Sequence, residues 1–74
     1  MKTLKELIGE QIEARRQALG WSQRQLAREL GSDVSNVRNY EKGIHAPGAY
    51  ALYDLANIFC CSVDDLMGRT HDTE

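Results

Sequence analysis

The sequence predicts an all-α chain of five helices, and three observations carry that expectation. Apolar residues recur at spacings of three and four. Ser22-x-x-Gln25 and Ser62-x-x-Asp65 have the form of capping boxes, and glycines fall where the periodic runs stop. No segment alternates apolar and polar residues as a half-buried strand does.

From Thr3 to Leu19 the residues Leu4, Leu7, Ile8, Ile12 and Leu19, with Ala14 and Ala18, repeat at three, four or their multiples, which predicts an amphipathic helix closed by Gly20. The Ser22 hydroxyl is expected to accept from the amide three residues on while Gln25 reaches back. This opens a second helix with Leu26, Ala27 and Leu30 inward, kept short by Gly31. Ser32 and Asp33 are both good N-caps, so a third helix should follow within two or three residues and run to Lys42 before Gly43 stops it. Here the pattern changes: Val37 and Tyr40 fall on one side, while Ser35, Arg38, Asn39 and Lys42 fall at i, i+3, i+4 and i+7 on the other. Such a helix presents solvent with a stripe of hydrogen-bonding groups. Residues 44–48 hold the only proline, Pro47, and read as a loop. Leu52, Leu55, Ala56 and Phe59 mark a fourth helix, and a last one capped by Ser62 holds Val63, Leu66 and Met67. Residues 69–74 are polar and expected to fray. With no repeat or low-complexity stretch, residues 1–74 read as one domain.

With 74 residues, the chain would have to cut any catalytic cleft from the few apolar side chains that hold it together, so a conventional enzyme is not expected. No nucleophile–base pair, glycine-rich phosphate loop or metal-ligand spacing is present, and no cofactor or small-molecule ligand is implied. No apolar run approaches the roughly 20 residues of a membrane span. Cys60 and Cys61 are adjacent, and neighbouring Cα atoms about 3.8 Å apart fall short of ordinary disulfide geometry, so they read as free thiols. Residues 1–10 are charged throughout rather than signal-like, and a reducing cytoplasm is the expected setting.

A formal charge of −2 argues at first against a nucleic-acid partner. Its distribution reverses that reading. Residues 1–14 carry a net −1. In residues 15–42, Arg15, Arg16, Arg24, Arg28, Arg38 and Lys42 oppose Glu29, Asp33 and Glu41, a net +3. In residues 43–74, Arg69 alone opposes Asp54, Asp64, Asp65, Asp72 and Glu74, a net −4. With a Debye length of about 8 Å at physiological salt, a polyanion near the second and third helices responds mainly to the local positive charge.

Two short helices joined by a tight glycine-containing turn, the second with a polar stripe, form the helix-turn-helix arrangement. At this point the sequence resembles the Cro/C1-type (XRE-like) family of repressors. The resemblance is carried by Ile12 with Arg16, Gly20-Trp21-Ser22-Gln23, Leu26-Ala27, Leu30-Gly31, Ser35-x-Val37, Tyr40-Glu41-Lys42-Gly43, Pro47, and Leu55-Ala56 followed by Val63-x-x-Leu66. It implies a compact lambda-repressor-like domain whose helix-turn-helix is formed by helices 2 and 3. It also implies that Gln23 bonds a backbone phosphate, that Val34, Ser35, Arg38 and Asn39 face base edges, and that Lys42 and the loop at His45 lie along phosphates. Arg16 and Glu41 match positions that often form an ion pair. Three departures stand out: Ser32 where a small apolar residue is usual, Gly48 in place of a frequent Ser/Thr cap, and Cys60-Cys61 in place of a Gly-Val-like pair.

The side-chain chemistry suits these roles. Asn39 can pair an adenine, Arg38 can reach guanine or phosphate, Ser35 donates or accepts, and Val34 offers apolar surface to a thymine methyl. Arg24 and Arg28, one turn apart on the second helix, could flank the groove, although Arg28 is explained nearly as well as an ordinary surface arginine. Trp21 and Tyr40 read as core aromatics. The expected function is a transcriptional regulator, a repressor, that reads the major groove of a palindromic operator with its third helix. It would act as a homodimer paired through Phe59, Leu66 and Met67, residues whose plainer role is core packing. The rival is a protein-interaction module of the same fold, an antitoxin or bridging-factor-like subunit working through its acidic end.

Overall fold

A computed structural model describes residues 1–69. It contains α1 (Leu4–Ala18), α2 (Gln23–Leu30), α3 (Val34–Glu41), α4 (Ala49–Phe59) and α5 (Val63–Leu66), with no strand among the described residues. The expected polar tail lies, beyond Arg69, outside the described residues.

Capping decides where the helices begin. Thr3 opens α1 with a full capping box: its hydroxyl accepts from the Glu6 amide at 3.2 Å, and the Glu6 carboxylate accepts from the Thr3 amide at 2.8 Å. The predicted box at Ser22 is only half formed. Ser22 Oγ accepts from the Gln25 amide at 3.0 Å, but the Gln25 carboxamide turns along the helix and donates to Glu29 at 3.0 Å. At α5 both halves of the Ser62/Asp65 box are present. Asp33 occupies the N-cap of α3 without a side-chain cap bond, and Ser32 instead accepts from Asn36 Nδ2 at 2.8 Å.

Tertiary packing selects a narrower apolar stripe on α1 than periodicity implies. Ile8, Gly9, Ile12 and Arg16 are buried, whereas Leu4, Ala14, Ala18 and Leu19 stay exposed. The helix meets α3, α4 and α5 along one side only. The core is Ile8, Ile12, Leu26, Ala27, Val37, Leu52, Leu55, Ala56 and Leu66, with Trp21, Tyr40, Phe59 and Met67 packed against it. Each fully buried aliphatic side chain contributes about 1.5–3 kcal/mol relative to exposure. Leu66 corrects an expectation: at 0% exposed it is sealed between α5 and the rest of the core, so it has no surface to offer a second copy.

Two backbone features shape the packing. Gly9 lets α1 lie against the end of α3, because a Cβ there would sit 2.3 Å from the Tyr40 carbonyl oxygen and 2.8 Å from that of Glu41. At the end of α4, Cys60 takes φ 57°, ψ 46°, a left-handed conformation that the other helix ends assign to glycine. The Cys61 amide then bonds the Ala56 carbonyl at 2.9 Å, completing a Schellman turn. The turn forms, but a β-carbon in this region costs energy that glycine avoids. Both thiols are free: Cys60 is exposed, Cys61 is half-buried, and burial pushes the Cys61 thiol pKa up.

Candidate nucleic-acid interface

The turn between α2 and α3 is set by Gly31, which takes φ 71°. Its amide bonds the Arg28 carbonyl at 3.2 Å, and the Ser32 amide bonds that of Ala27 at 2.9 Å. This reverses the chain within three residues and brings α3 back across α2, where Leu26, Ala27 and Val37 join one core. With Val37 fully buried, α3 has a determined rotation. Ser35, Asn36, Arg38 and Lys42 are therefore exposed, while Val34 and Asn39 are half-buried.

The structure thus brings most of the expected contact residues to one side of α3 and to α2. Ser35, Arg38 and Lys42 form an exposed stripe with the half-buried Asn39 beside them, and Val34 lies at its start, packed partly against the core. Arg24 and Arg28 line a shallow groove with Ala27, Ser32, Asp33 and Val34, so the two arginines border the beginning of α3. His45 is exposed in the loop after α3, whose first amides, of Ile44 and His45, both donate to the Asn39 carbonyl at 3.0 and 3.4 Å. Asn36 lies off the i, i+3, i+4 and i+7 spacing that marks the stripe, and its polarity beside Ser35 is the one sequence signal for it. It is exposed on α3 and tied to Ser32.

The N-terminus of α2 is joined to the C-terminus of α3 through Arg16 and Glu41. Arg16 Nε donates to Glu41 Oε2 at 2.6 Å and Nη2 to Oε1 at 3.1 Å, a two-pronged pair, while Nη1 donates to the Trp21 carbonyl at 2.7 Å. The side chains are 11% and 5% exposed. The bond to Glu41 raises the Arg16 pKa further above its usual value, against the lowering effect of burial. Gln23 Nε2 donates to the same Glu41 Oε1 at 2.9 Å. Because the pair is dry, removing one partner strands the other, a loss of about 3–5 kcal/mol in such settings. The Gln23 and Arg24 amides lie in the first turn of α2, where the helix supplies no acceptor and its dipole favours an anion.

Phe59 and Met67 remain half-buried. The most exposed aromatics of the described chain are elsewhere, at Tyr50 (90%) and Tyr53 (64%) on α4. No described group of His, Cys, Asp and Glu is placed to hold a metal ion, and no described helix is long and apolar enough to cross a membrane.

A helix-turn-helix family model matches residues 12–66. The HTH-type transcriptional regulator ImmR of Bacillus subtilis is 31% identical over 62 residues, 84% of this chain and 49% of that protein. The cryptic phage CTXphi transcriptional repressor RstR of Vibrio cholerae is 32% identical over 62 residues, 84% of this chain and 55% of its own length. The chain therefore spans about half the length of these relatives. The crystal structure of the hypothetical transcription factor NHTF from Neisseria superposes with a TM-score of 0.81 at 23% identity, covering 88% of this chain and 75% of that one. That likeness establishes a shared fold.

Proposed function

The chain belongs to the helix-turn-helix family of transcriptional regulators, and from that premise we propose that it is a sequence-specific DNA-binding repressor, with α3 in the major groove and α2 across the backbone. The observation that carries the proposal is the polar stripe of exposed Ser35, Arg38 and Lys42 with half-buried Asn39, on a helix whose opposite side is locked into the core by Val37. The net +3 of residues 15–42 lies on the same part of the chain, and the first turn of α2 adds amides suited to a phosphate. In this reading Val34, Ser35, Arg38 and Asn39 face bases, while Gln23, Arg24, Lys42 and His45 meet the backbone.

A single module this small makes few contacts, and two copies on half-sites one helical turn, about 34 Å, apart gain affinity through effective concentration. Homodimeric binding to a palindromic operator, in the cytoplasm, is therefore part of the proposal. The apolar surface open for pairing includes Tyr50 and Tyr53 on α4 and the half-buried Phe59 and Met67. The same exposed tyrosines, in a half of the chain with a net −4, are what favour the second reading, a module that binds another protein.

Selection of bound sequences from a random duplex pool tests the proposal. A palindromic consensus supports both DNA reading and twofold pairing, and its affinity should fall with salt at a slope near −0.9 per phosphate contacted. Absence of binding to any duplex at low salt overturns the repressor reading in favour of the protein-interaction module.

A further inference from the structure

We propose that Glu41 is a positioning residue for DNA binding: held by Arg16, its carboxylate aims the Gln23 carboxamide so that one N–H points inward and the second is left for a backbone phosphate. The inference deepens the DNA-binding reading and rests on it.

A carboxylate accepts and does not donate, so the part of the Gln23 carboxamide that lies 2.9 Å from Glu41 Oε1 has to be its NH2 and not its oxygen. An NH2 carries two hydrogens. One is used by Glu41, and the other remains for a phosphate oxygen, which is itself only an acceptor. A Gln23 side chain released from Glu41 could turn its oxygen outward, acceptor facing acceptor, and would lose rotamer freedom when DNA bound.

The surroundings make Glu41 able to do this. Its side chain is 5% exposed, and both oxygens are engaged by Arg16, at 2.6 and 3.1 Å, so the carboxylate is anchored from α1 rather than swinging from α3. The third Arg16 bond, to the Trp21 carbonyl at 2.7 Å, holds the backbone two residues ahead of Gln23. One ion pair thus restrains both the side chain of Gln23 and the chain leading into α2. Glu41 is also the last residue of α3, three positions from Arg38 and two from Asn39. The Gln23–Glu41 bond therefore couples the phosphate anchor on α2 to the base-facing side chains on α3, and the two sets of DNA contacts are placed as a unit.

The test is a double-mutant cycle on the full chain, read as Kd for a duplex selected from the random pool. Gln23→Met keeps the length and removes the amide. Glu41→Asp keeps a charge for Arg16 but ends about 1.5 Å short of Gln23. Each variant is checked by thermal unfolding. Each single change should weaken binding about tenfold, the loss of one hydrogen bond to a charged group, and the double variant should be no more than about threefold worse than either. Losses that multiply to about a hundredfold overturn the proposal, as does a Glu41→Asp protein with altered melting but unchanged Kd. Should Glu41→Asp fail to fold, NMR of the DNA-free wild type decides. A Gln23 Nε2 proton that exchanges slowly and is shifted from its free-glutamine position supports the proposal, and a pair with free-glutamine shifts and exchange overturns it. A wild type that binds no duplex but shows the slow, shifted proton refutes the DNA-binding reading, and with it the assigned role, while leaving the orientation of Gln23 intact.

Discussion

Gly9→Ala sets two opposed effects against each other, and the structure decides the sign. Gly9 lies in the interior of α1, where alanine is the better helix former by about 0.8–1.0 kcal/mol, so local propensity alone predicts stabilisation. The new Cβ, however, would stand 2.3 Å from the Tyr40 carbonyl oxygen and 2.8 Å from that of Glu41, and both are backbone atoms that cannot rotate away. Reaching ordinary contact at 3.4 Å requires α1 and the end of α3 to separate by about 1 Å. Overpacking of this kind costs about 1–3 kcal/mol. A clash with two carbonyls lies at the upper end of that range, leaving a net destabilisation of about 2 kcal/mol. For a domain of this size that lowers Tm by roughly 8–16 °C, measurable by circular dichroism at 222 nm. The displaced segment also holds Glu41, so DNA affinity should fall in the protein that remains folded. A Gly9→Ala protein with unchanged or raised Tm would refute the account of why α1 and α3 can approach so closely.

Three further outcomes follow from the structure. Cys60→Gly should raise stability by about 0.5–1 kcal/mol in urea unfolding, because relief of a left-handed β-carbon, about 1–2 kcal/mol, exceeds the unfolded-state entropy that glycine adds. Iodoacetamide at pH 8 should modify exposed Cys60 before Cys61, as mapped by mass spectrometry. The raised Cys61 pKa means its contribution to stability is fully present below the unfolded-state pKa and is lost as pH rises through the folded value. Asn39→Ala should lose about 1–3 kcal/mol on the selected duplex and little on random DNA, whereas Arg24→Ala should weaken both alike and lower the salt slope by about one. Fluorescence anisotropy with the two duplexes separates these cases.

Much of the fold was legible because the signals were local. The spacing of Ile8 and Ile12, the Ser22 and Ser62 hydroxyls, and the glycines at 20, 31 and 43 each act within one helical turn, so neighbouring residues suffice to place the five helices. The polar stripe of α3 was legible for the same reason: Ser35, Arg38, Asn39 and Lys42 share a side whatever the helix packs against. Local sequence does not decide outcomes that depend on an element distant in the chain. Periodicity marks Leu4, Ala14, Ala18 and Leu19 as apolar positions of α1, yet they stay exposed because the partners of α1 cover only one side of it. Leu66 looks available as the last large aliphatic of a four-residue helix, but α5 packs against α1 and α4 and buries it.

The amino-acid pattern was thus sufficient for helix number, helix ends, the separation of a positive segment from an acidic remainder, and the residue types presented on α3. Only three-dimensional packing could establish that Gly9 is an approach point between α1 and α3, that Cys60 bears the left-handed turn without glycine's freedom, and that Arg16, Glu41 and Gln23 form a single hydrogen-bonded network across three helices. The physical reason is range. Backbone conformation and capping are settled over three or four residues, whereas burial, close approach and the pairing of Arg16 with Glu41, 25 positions apart, exist only once the helices have assembled.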